Sequence, residues 1–253
     1  MSVVGIVTAL AAEARAFPIA ERSRGTMRRL ADGSLLIVGG IGPAAAAAAA
    51  RSVLAAGATA LASSGFAGGL EPALRAGTIL LPGEVISAVG AAYATTEAWR
   101  LQLWAALAGH AALAEGRLLS TARMIDDVAG KSAALRGSGA AAVDMESVAV
   151  AEVAAAHGMP FLAARVIVDT AADTLPRAVL AATRSGHLRI GRLIGGLMLA
   201  PAELAGLLRL AQRYRAANRS LELLARVGMR APPGTADAAD AAGAADVAGA
   251  PLA

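Results

Sequence analysis

The sequence has no cysteine, three histidines and few aromatic residues, and each shortage argues against a class of function. Without cysteine there is no disulfide framework, no thiolate zinc site and no cysteine nucleophile. The three histidines (His110, His157 and His187) are scattered and leave little for a histidine metal site. Aromatic residues make up 3% of the chain, so few side chains are available to stack on nucleic acid bases. We therefore expect no metal, no cofactor and no nucleic acid partner.

Alanine is the most abundant residue, with 70 of the 253 positions. It raises the mean hydropathy without giving the chain membrane-spanning character. The longest uncharged stretch, residues 52–70, could span a bilayer by length, but it contains four glycines and three serines. We interpret it as a helix end, a buried strand and a loop. The apolar N-terminus has no basic residues before it, unlike a signal peptide, so we expect a cytoplasmic protein.

Positive charge is concentrated near the C-terminus. Residues 177–230 contain ten arginines and two acids, whereas residues 1–176 carry a net charge of −1. We therefore predict a core over 1–176, a basic helical extension packed on it over 177–230, and a disordered Ala/Gly/Asp/Pro tail over 231–253. Nucleic acid is one possible partner for such a segment. Anionic lipid at the inner face of the membrane is another, because the basic residues are interleaved with leucine and not with aromatic residues. A solvated, arginine-rich face explains it equally well.

Apolar segments of strand length alternate with helical segments, which predicts an α/β layered domain with a central sheet. Strands are predicted at 2–10, 34–38, 58–64, 77–89, 117–121, 140–143 and 161–168, and helices from Pro43, at 97–107, from Asp127, and at 145–157, 176–199 and 202–227.

Three carboxylates stand near predicted strand ends, where functional sites of α/β sheets collect. Glu13 follows the first strand, Glu146 lies at a strand-to-helix junction, and Asp169 ends the apolar run that precedes it. A helix cap or a surface charge would explain each of them alone. The glycine-rich stretch 65–70 implies close backbone approach, either of chain to chain or of chain to ligand. Residues 40–45 fit a dinucleotide fingerprint only loosely, and a tight turn into a helix is the better interpretation.

Four segments together resemble the methylthioadenosine/S-adenosylhomocysteine nucleosidases, within the nucleoside phosphorylase superfamily. They are VGIVTALAAE at 4–13, GFAGGL at 65–70 followed by GTILLP at 77–82, VDMES at 143–147, and RVIVD at 165–169. The match covers about residues 2–176 in the right order and spacing. The resemblance implies a three-layer α/β/α fold with a central mixed sheet, phosphorylase/hydrolase-like, plus C-terminal helices. It also implies a homodimer or higher homo-oligomer.

One branch is matched more closely. The Asp-Met-Glu-Ser variant, the sequence DTLP at 173–176 and the leucine/arginine pattern over 200–226 resemble the hopanoid-biosynthesis-associated phosphorylase-like proteins. Members of that branch remove adenine from adenosylhopane and leave ribosylhopane. The partner implied is therefore an adenine nucleoside with an apolar 5′-substituent.

The resemblance also implies roles for individual residues. Asp169 would protonate the leaving purine at N7, and Glu146 would bind the ribose hydroxyls. Glu13 would activate water, and Met145 would pack on the sugar or base. The other substrate-binding positions implied are Phe66, Ala67, Gly68, Ile125 and Asp126.

Two departures bear on the nucleophile. Relatives carry a hydroxyl residue where this chain has Phe66, and phosphate-using relatives carry arginine at the position of Glu13 and near Ser63. A carboxylate repels phosphate, so hydrolysis is expected in place of phosphorolysis. Val168 replaces a common serine beside the acid. Three alternatives remain: a soluble methylthioadenosine/S-adenosylhomocysteine-type nucleosidase, a purine nucleoside phosphorylase, and a non-catalytic nucleoside-binding module.

Overall fold

A computed structural model describes residues 2–18, 27–175 and 204–231 of the chain. Its elements in chain order are β1 (Val4–Thr8), α1 (Ala11–Ala14), β2 (Met27–Arg29), β3 (Leu35–Val38), α2 (Pro43–Ala55), β4 (Ala60–Gly69), β5 (Ile79–Leu80), β6 (Glu84–Ser87), β7 (Ala92–Ala94), α3 (Glu97–Leu107), β8 (Leu113–Ala114), β9 (Arg117–Ser120), α4 (Val128–Ser138), β10 (Ala142–Asp144), α5 (Ser147–Ala156), β11 (Phe161–Asp169) and α6 (Leu204–Val227).

The described strands form one mixed sheet with the path β2-β3-β1-β4-β10-β9-β6-β7. The long strand β4 organises it, because it pairs in parallel with β1 and with β11 and antiparallel with β10. β11 pairs in turn with β5 in antiparallel orientation. The parallel strands β1, β4 and β11 therefore bring their carboxyl ends toward a common region, which the antiparallel strand β10 reaches from the opposite direction with its own carboxyl end. The candidate site lies there.

Helices cover both faces of the sheet. On one face the buried side of α2 (Ala46, Ala49, Ala50, Val53) meets α5 in a single apolar cluster. On the other face Trp99 and Leu103 of α3 pack with Leu221 and Leu224 of α6. Gly5 of β1 allows α2 to approach the sheet closely, since a Cβ at that position would lie 2.5 Å from Val53. This arrangement confirms the predicted three-layer α/β/α fold with a mixed sheet and a C-terminal helix.

Most predicted elements agree with the structure, and α3 matches its prediction at both ends. The stretch 65–70 is different, because it continues the strand as far as Gly69 and is not a loop. Its backbone is paired with β11 up to Gly68 and with β10 at Gly68 and Gly69. Ladder hydrogen bonds from two neighbouring strands hold these glycines extended, although glycine is weak in isolated strands.

Part of the basic segment, residues 177–230, packs into the core of the protein. Leu221 and Leu224 of α6 are fully buried in the core, so these two leucines are not available to face a lipid surface. The side chains of Leu204 and Leu207 lie outside the described part of the chain. The predicted helix at 176–199 and the predicted tail from 232 on also lie outside it. Among the described helices, none combines the length and apolar character needed to cross a bilayer.

Candidate active site

A cavity of about 600 Å³ lies at the carboxyl ends of β1, β10 and β11, beside the last residues of β4. Four carboxylic acids line it: Glu13, Asp144, Glu146 and Asp169. The rest of its lining is mainly apolar and comes from Ala9, Leu10, Ile41, Phe66, Ala67, Gly68, Thr121, Met124, Ile125, Val143, Met145, Val168, Leu175, Ala211, Tyr214 and Arg215. Carboxylic acids in a mainly apolar pocket are characteristic of sites that carry out general acid–base catalysis.

Glu13 is buried at the start of α1, directly after β1. Its Oε2 accepts hydrogen bonds from the backbone N–H groups of Ala9 (3.0 Å) and Leu10 (2.9 Å), and its Oε1 accepts one from Phe66 (2.9 Å). Burial raises the pKa of Glu13, while the Arg165 charge and these three N–H groups oppose that rise. The carboxyl group is therefore fixed in place by backbone alone and keeps one acceptor position of its four for another donor.

Gly65 in β4 makes room for this carboxyl group. A Cβ there would lie 2.5 Å from Glu13 Oε1 and 2.8 Å from Arg165 Nη1, and the residue has φ of +154°. Gly68 does the same for the acid on β11, since its Cβ would lie 3.2 Å from Asp169 Oδ2. The close approach implied by the glycine-rich stretch is therefore, at these two positions, one of chain to chain, with the side chains of the two acids occupying the space.

Glu146 is held by the turn that precedes α2. Gly42 has a left-handed conformation with φ of +99°, which begins the helix at Pro43 and directs its own N–H to Glu146 Oε1 (2.8 Å). Burial and the neighbouring Asp144 charge raise the pKa of Glu146 to about 7, with Arg165 and the Gly42 N–H opposing. The turn at 40–43 thus positions a site residue as well as starting a helix.

Asp144 and Arg165 form the buried support beneath these two glutamates. Arg165 Nη2 lies 2.7 Å from Asp144 Oδ2 and donates to Ser63 Oγ (2.6 Å) and Ser147 Oγ (3.0 Å). Asp144 also accepts from the Ser147 N–H (3.1 Å) and from the Ser120 hydroxyl. Because Asp144 is occupied by these partners, we interpret it as support for Arg165 and α5.

Asp169 ends β11 at a bulge, where the register with β4 shifts between Ile167 and Asp169. Its Oδ2 contacts Nζ of Lys131, which is fully buried. Burial raises the pKa of Asp169, and the ammonium of Lys131 opposes that rise, as does Arg213 at greater distance. Asp169 therefore forms a carboxyl–ammonium pair with Lys131, and the apolar sequence of β11 does not indicate this pair.

The apolar wall joins the core to α6. The Phe66 ring packs against the Tyr214 ring with centroids 5.5 Å apart and an interplanar angle of 59°. Met124 and Leu175 complete this side of the cavity. Phe66 thus supplies a backbone donor to Glu13 and a ring to the wall.

The structure brings together almost all of the site residues expected from the sequence. Glu13, Phe66, Ala67, Gly68, Ile125, Met145, Glu146 and Asp169 all line the cavity. Asp126 does not line the cavity. It follows a lining residue in the chain, and its carbonyl oxygen accepts the Leu175 N–H (2.7 Å). Its role as a substrate-binding residue stays a prediction.

Four contributors were not identified from the sequence: Lys131, Asp144, Arg165 and Tyr214. Lys131 carried a signal, since it is the only lysine in the chain. Arg165 sits inside an apolar strand, where a charge needs a buried partner. Tyr214 comes from α6, far along the chain. Among the residues that the structure describes, no three histidine or acidic side chains are grouped as a metal site requires.

Comparison with known proteins places this geometry in context. Among solved structures, the chain is similar to 5′-methylthioadenosine/S-adenosylhomocysteine nucleosidase from Neisseria meningitidis in complex with methylthio-immucillin-A, with 18% identity over 90% of this chain and 98% of that chain and a TM-score of 0.65. It is also similar to futalosine hydrolase of Helicobacter pylori, with 21% identity over 67% of this chain and 88% of that chain and a TM-score of 0.58. No curated protein sequence gives a match.

These likenesses establish the fold. The family itself is established by sequence, because the model of the phosphorylase superfamily matches residues 7–194, which is more than half of the chain. This match includes all four acids of the cavity. The chain therefore belongs to the phosphorylase superfamily.

Proposed function

We propose that this protein is a nucleosidase that hydrolyses the N-glycosidic bond of an adenine nucleoside with an apolar 5′-substituent. The observation that carries the proposal is the convergence of Glu13, Glu146 and Asp169 on one mainly apolar cavity. Its fold neighbours include a structure named as a nucleosidase and one named as a hydrolase. The substrate that best fits the resemblance is adenosylhopane, which would give adenine and ribosylhopane.

The chemistry requires one acid, one base and a site for the sugar. As the bond from C1′ to N9 breaks, its electron pair goes to the purine and positive charge develops on the ribose. Asp169 would give its proton to N7, so that adenine leaves neutral. Glu146 would accept hydrogen bonds from the ribose hydroxyls through Oε2, since Oε1 is taken by Gly42.

Glu13 would take a proton from the attacking water. Its three backbone donors leave one acceptor position, which suits a single water O–H. The hydroxide so formed adds to C1′, and the proton count balances, with one proton lost by water and one gained by the purine. Met145 and Ile125 would pack against the nucleoside.

Charge supports water over phosphate as the nucleophile. Glu13, Asp144 and Glu146 lie on the cavity wall, and a phosphate dianion would meet their repulsion. An arginine does reach Ser63 in space, but Arg165 is buried there and paired with Asp144. No cation among the described residues is thus free at that position.

The apolar wall supports an apolar group at the 5′ end. Phe66, Tyr214, Met124 and Leu175 present rings and aliphatic side chains, with few polar partners beyond the four acids. Arg215 is the one cation in the described lining and it is exposed, so a carboxylate on the substrate, as in S-adenosylhomocysteine, would have a single solvated partner there. A hydrocarbon substituent would be desolvated there at a gain.

We also propose that the described face of α6 approaches an anionic membrane surface. Arg215 and Arg219 are exposed and line, with Tyr214 and Asn218, a second cavity of about 340 Å³ that shares Tyr214 and Arg215 with the first. A basic rim next to an apolar pocket would hold a lipid-bearing nucleoside where its tail leaves the bilayer.

Activity is tested by following adenine release from three nucleosides, with and without phosphate: methylthioadenosine, S-adenosylhomocysteine and adenosine with a long 5′-alkyl chain. Preferred turnover of the alkyl nucleoside without phosphate is expected. Preferred turnover of methylthioadenosine would indicate a soluble nucleosidase, and dependence on phosphate a phosphorylase. Binding without turnover, unchanged by Glu13→Gln and Asp169→Asn, would indicate a non-catalytic module.

Membrane approach is tested by co-sedimentation with vesicles of phosphatidylglycerol and phosphatidylcholine. Binding is expected at low salt and should weaken as salt rises. Arg215→Gln/Arg219→Gln should reduce it, whereas Arg51→Gln/Arg136→Gln, which removes the same charge elsewhere on the surface, should not. Equal loss in both double variants would show a general charge effect and count against α6.

A further inference from the structure

Lys131 is the most unusual residue that the proposed chemistry does not use. It is the only lysine beside 22 arginines, it is fully buried, and it is the only buried residue of α4. Burying an ammonium is unfavourable unless the charge is paired and its donors are satisfied. A cation in such a position therefore points to a specific task.

The surroundings of Nζ fit an ammonium. It contacts Asp169 Oδ2 and donates to the carbonyl oxygens of Thr170 (2.8 Å) and Asp173 (3.0 Å). Three acceptors match the three N–H donors of –NH₃⁺, whereas a neutral amine has only two. A guanidinium, planar and larger, has no equivalent arrangement around one nitrogen, which accounts for lysine here in a chain that otherwise uses arginine.

The contact is directed to one oxygen of the acid. Lys131 occupies Oδ2 of Asp169, and the turn that follows β11 is held by the same ammonium through Thr170 and Asp173. Asp173 in turn accepts from Thr170 N (2.8 Å) and contacts Arg213 of α6 through Oδ1. Asp169 is thus oriented by a cation and by a turn that the cation fixes.

We propose that Lys131 is a positioning residue for the acid step, which strengthens Asp169 as an acid by stabilising the carboxylate left behind when the proton moves to N7. This proposal rests on the proposed nucleosidase function. In the step, the O–H bond of Asp169 breaks, N7–H forms, and the electron pair stays on Asp169 beside the ammonium. The charge on Lys131 is favourable to that product and not to the neutral acid.

Other charges could act on the same acid and must be kept constant. From within the cavity these are Glu13, Asp144, Glu146 and Arg215; from outside it they are Asp173 on the turn and Arg213 on α6. Among the charged side chains that the structure describes, only Lys131 contacts the Asp169 carboxyl group. Its removal should therefore have an effect on the acid that removal of the more distant Arg213 does not match.

Kinetics of Lys131→Met test the proposal. We expect kcat for adenine release to fall about 10- to 100-fold, with little change in KM, and the alkaline limb of kcat/KM to move to higher pH, because a carboxyl group without its cation keeps its proton longer. A 4-nitrophenyl riboside with the same 5′-group, whose leaving group needs no proton, should lose much less. Arg136→Met, an exposed cation on the same helix, should change neither.

A double variant separates positioning from folding. If Lys131 acts through Asp169, then Lys131→Met should cost little further activity once Asp169→Asn is present. Equal losses on both leaving groups, an alkaline limb that does not move, or losses that multiply in the double variant would overturn the proposal in favour of a purely structural lysine.

A measurement without turnover uses the fact that the chain has one lysine. Labelling with ¹⁵Nζ-lysine should give one slowly exchanging ammonium signal, and added adenine should shift it through Asp169, an effect lost in Asp169→Asn. A rapidly exchanging signal that adenine does not move would overturn the proposal. An adenine-dependent signal in a protein that cleaves no nucleoside would refute the nucleosidase function and still support the coupling of Lys131 to the base site.

Discussion

Glu13 and Asp169 line one cavity and are equally deep, but their carboxyl groups are held in opposite ways. Three backbone N–H groups hold Glu13, whereas a side-chain ammonium holds Asp169. Burial raises the pKa of both groups. Backbone donors fix an orientation and cannot exchange a proton with the carboxyl group. The charge of Arg165 also acts on Glu13, but the ammonium of Lys131 is in direct contact with Asp169, and its effect is greatest when that carboxyl group loses its proton. Partners, more than burial, therefore distinguish the proposed base from the proposed acid.

The largest effect is expected at the acid end. Asp169→Asn removes the transferable proton, and kcat for adenine release should fall about 10²- to 10⁴-fold. Steady-state kinetics with adenine detection measure it. The matched control is Asp32→Asn, between β2 and β3 and outside the cavity lining, which should stay within about twofold of the wild type. Comparable losses in both variants would remove the distinction drawn between them.

The base end should respond in both activity and stability. Glu13→Gln turns one acceptor oxygen into an N–H₂ group facing backbone donors, so at least one hydrogen bond is lost. We expect kcat to fall about 10²-fold and the free energy of unfolding to fall by about 1–3 kcal/mol. Glu71→Gln, on the exposed surface, is the control for denaturant titration. A fully stable, inactive Glu13→Gln would indicate that the N–H groups do not hold the carboxylate.

Glu146 should determine the acid limb of the pH profile. As a ribose acceptor it must be ionised, so kcat/KM should fall below a pH of about 7, and Glu146→Gln should flatten that limb. Its folded-state pKa of about 7 exceeds the ordinary value of 4.5, so the folded protein binds this proton more tightly. The stability contributed is present below pH 4.5 and is lost as pH rises through 7.

That loss can be measured by denaturant titration of the wild type and Glu146→Gln at several pH values. The wild type should lose roughly 3 kcal/mol of unfolding free energy relative to the variant between the two pH limits. Parallel curves for the two proteins would show that Glu146 has an ordinary pKa in the folded state.

Glycine substitutions compare the two ends most directly. Gly65→Ala puts a Cβ 2.5 Å from Glu13 Oε1 at a positive φ, so we expect unfolding free energy to fall by roughly 2–4 kcal/mol. Gly68→Ala meets Asp169 Oδ2 at 3.2 Å and should cost about 1 kcal/mol. Gly83→Ala meets no atom within 4 Å and should be neutral. Equal losses at 65 and 68 would contradict the tighter fit at Glu13.

Sequence patterns predicted most of the fold because periodicity and helix signals are local. The helix α3, the start of α2 at Pro43 and the start of α4 after Asp127 all follow from residues within one turn. The run 65–69 was mistaken for a loop because glycine is a loop residue by local preference. It is a strand because β11 and β10 pair with it, and those strands come later in the chain.

The candidate site divides in the same way. Glu13, Glu146 and Asp169 could be named in advance because each stands where a predicted strand ends, and strand ends of one sheet converge. The contact of Lys131 with Asp169 could not be predicted, because nothing near Lys131 in the sequence indicates that α4 directs its side chain toward residue 169. Tyr214 was missed for the same reason, since 148 residues of chain separate it from the Phe66 ring it contacts.

By itself, then, the sequence determined the kind of layers, the acids at the strand ends and the membership of a superfamily, because each depends on local pattern or on ordered motifs. Only the tertiary structure decided what each acid touches. Hydrogen bonds and charge pairs act over a few ångströms, and their partners here come from elements far apart along the chain. The partner groups, three amides for Glu13 and one ammonium for Asp169, are what suggest different duties for two similar carboxyl groups.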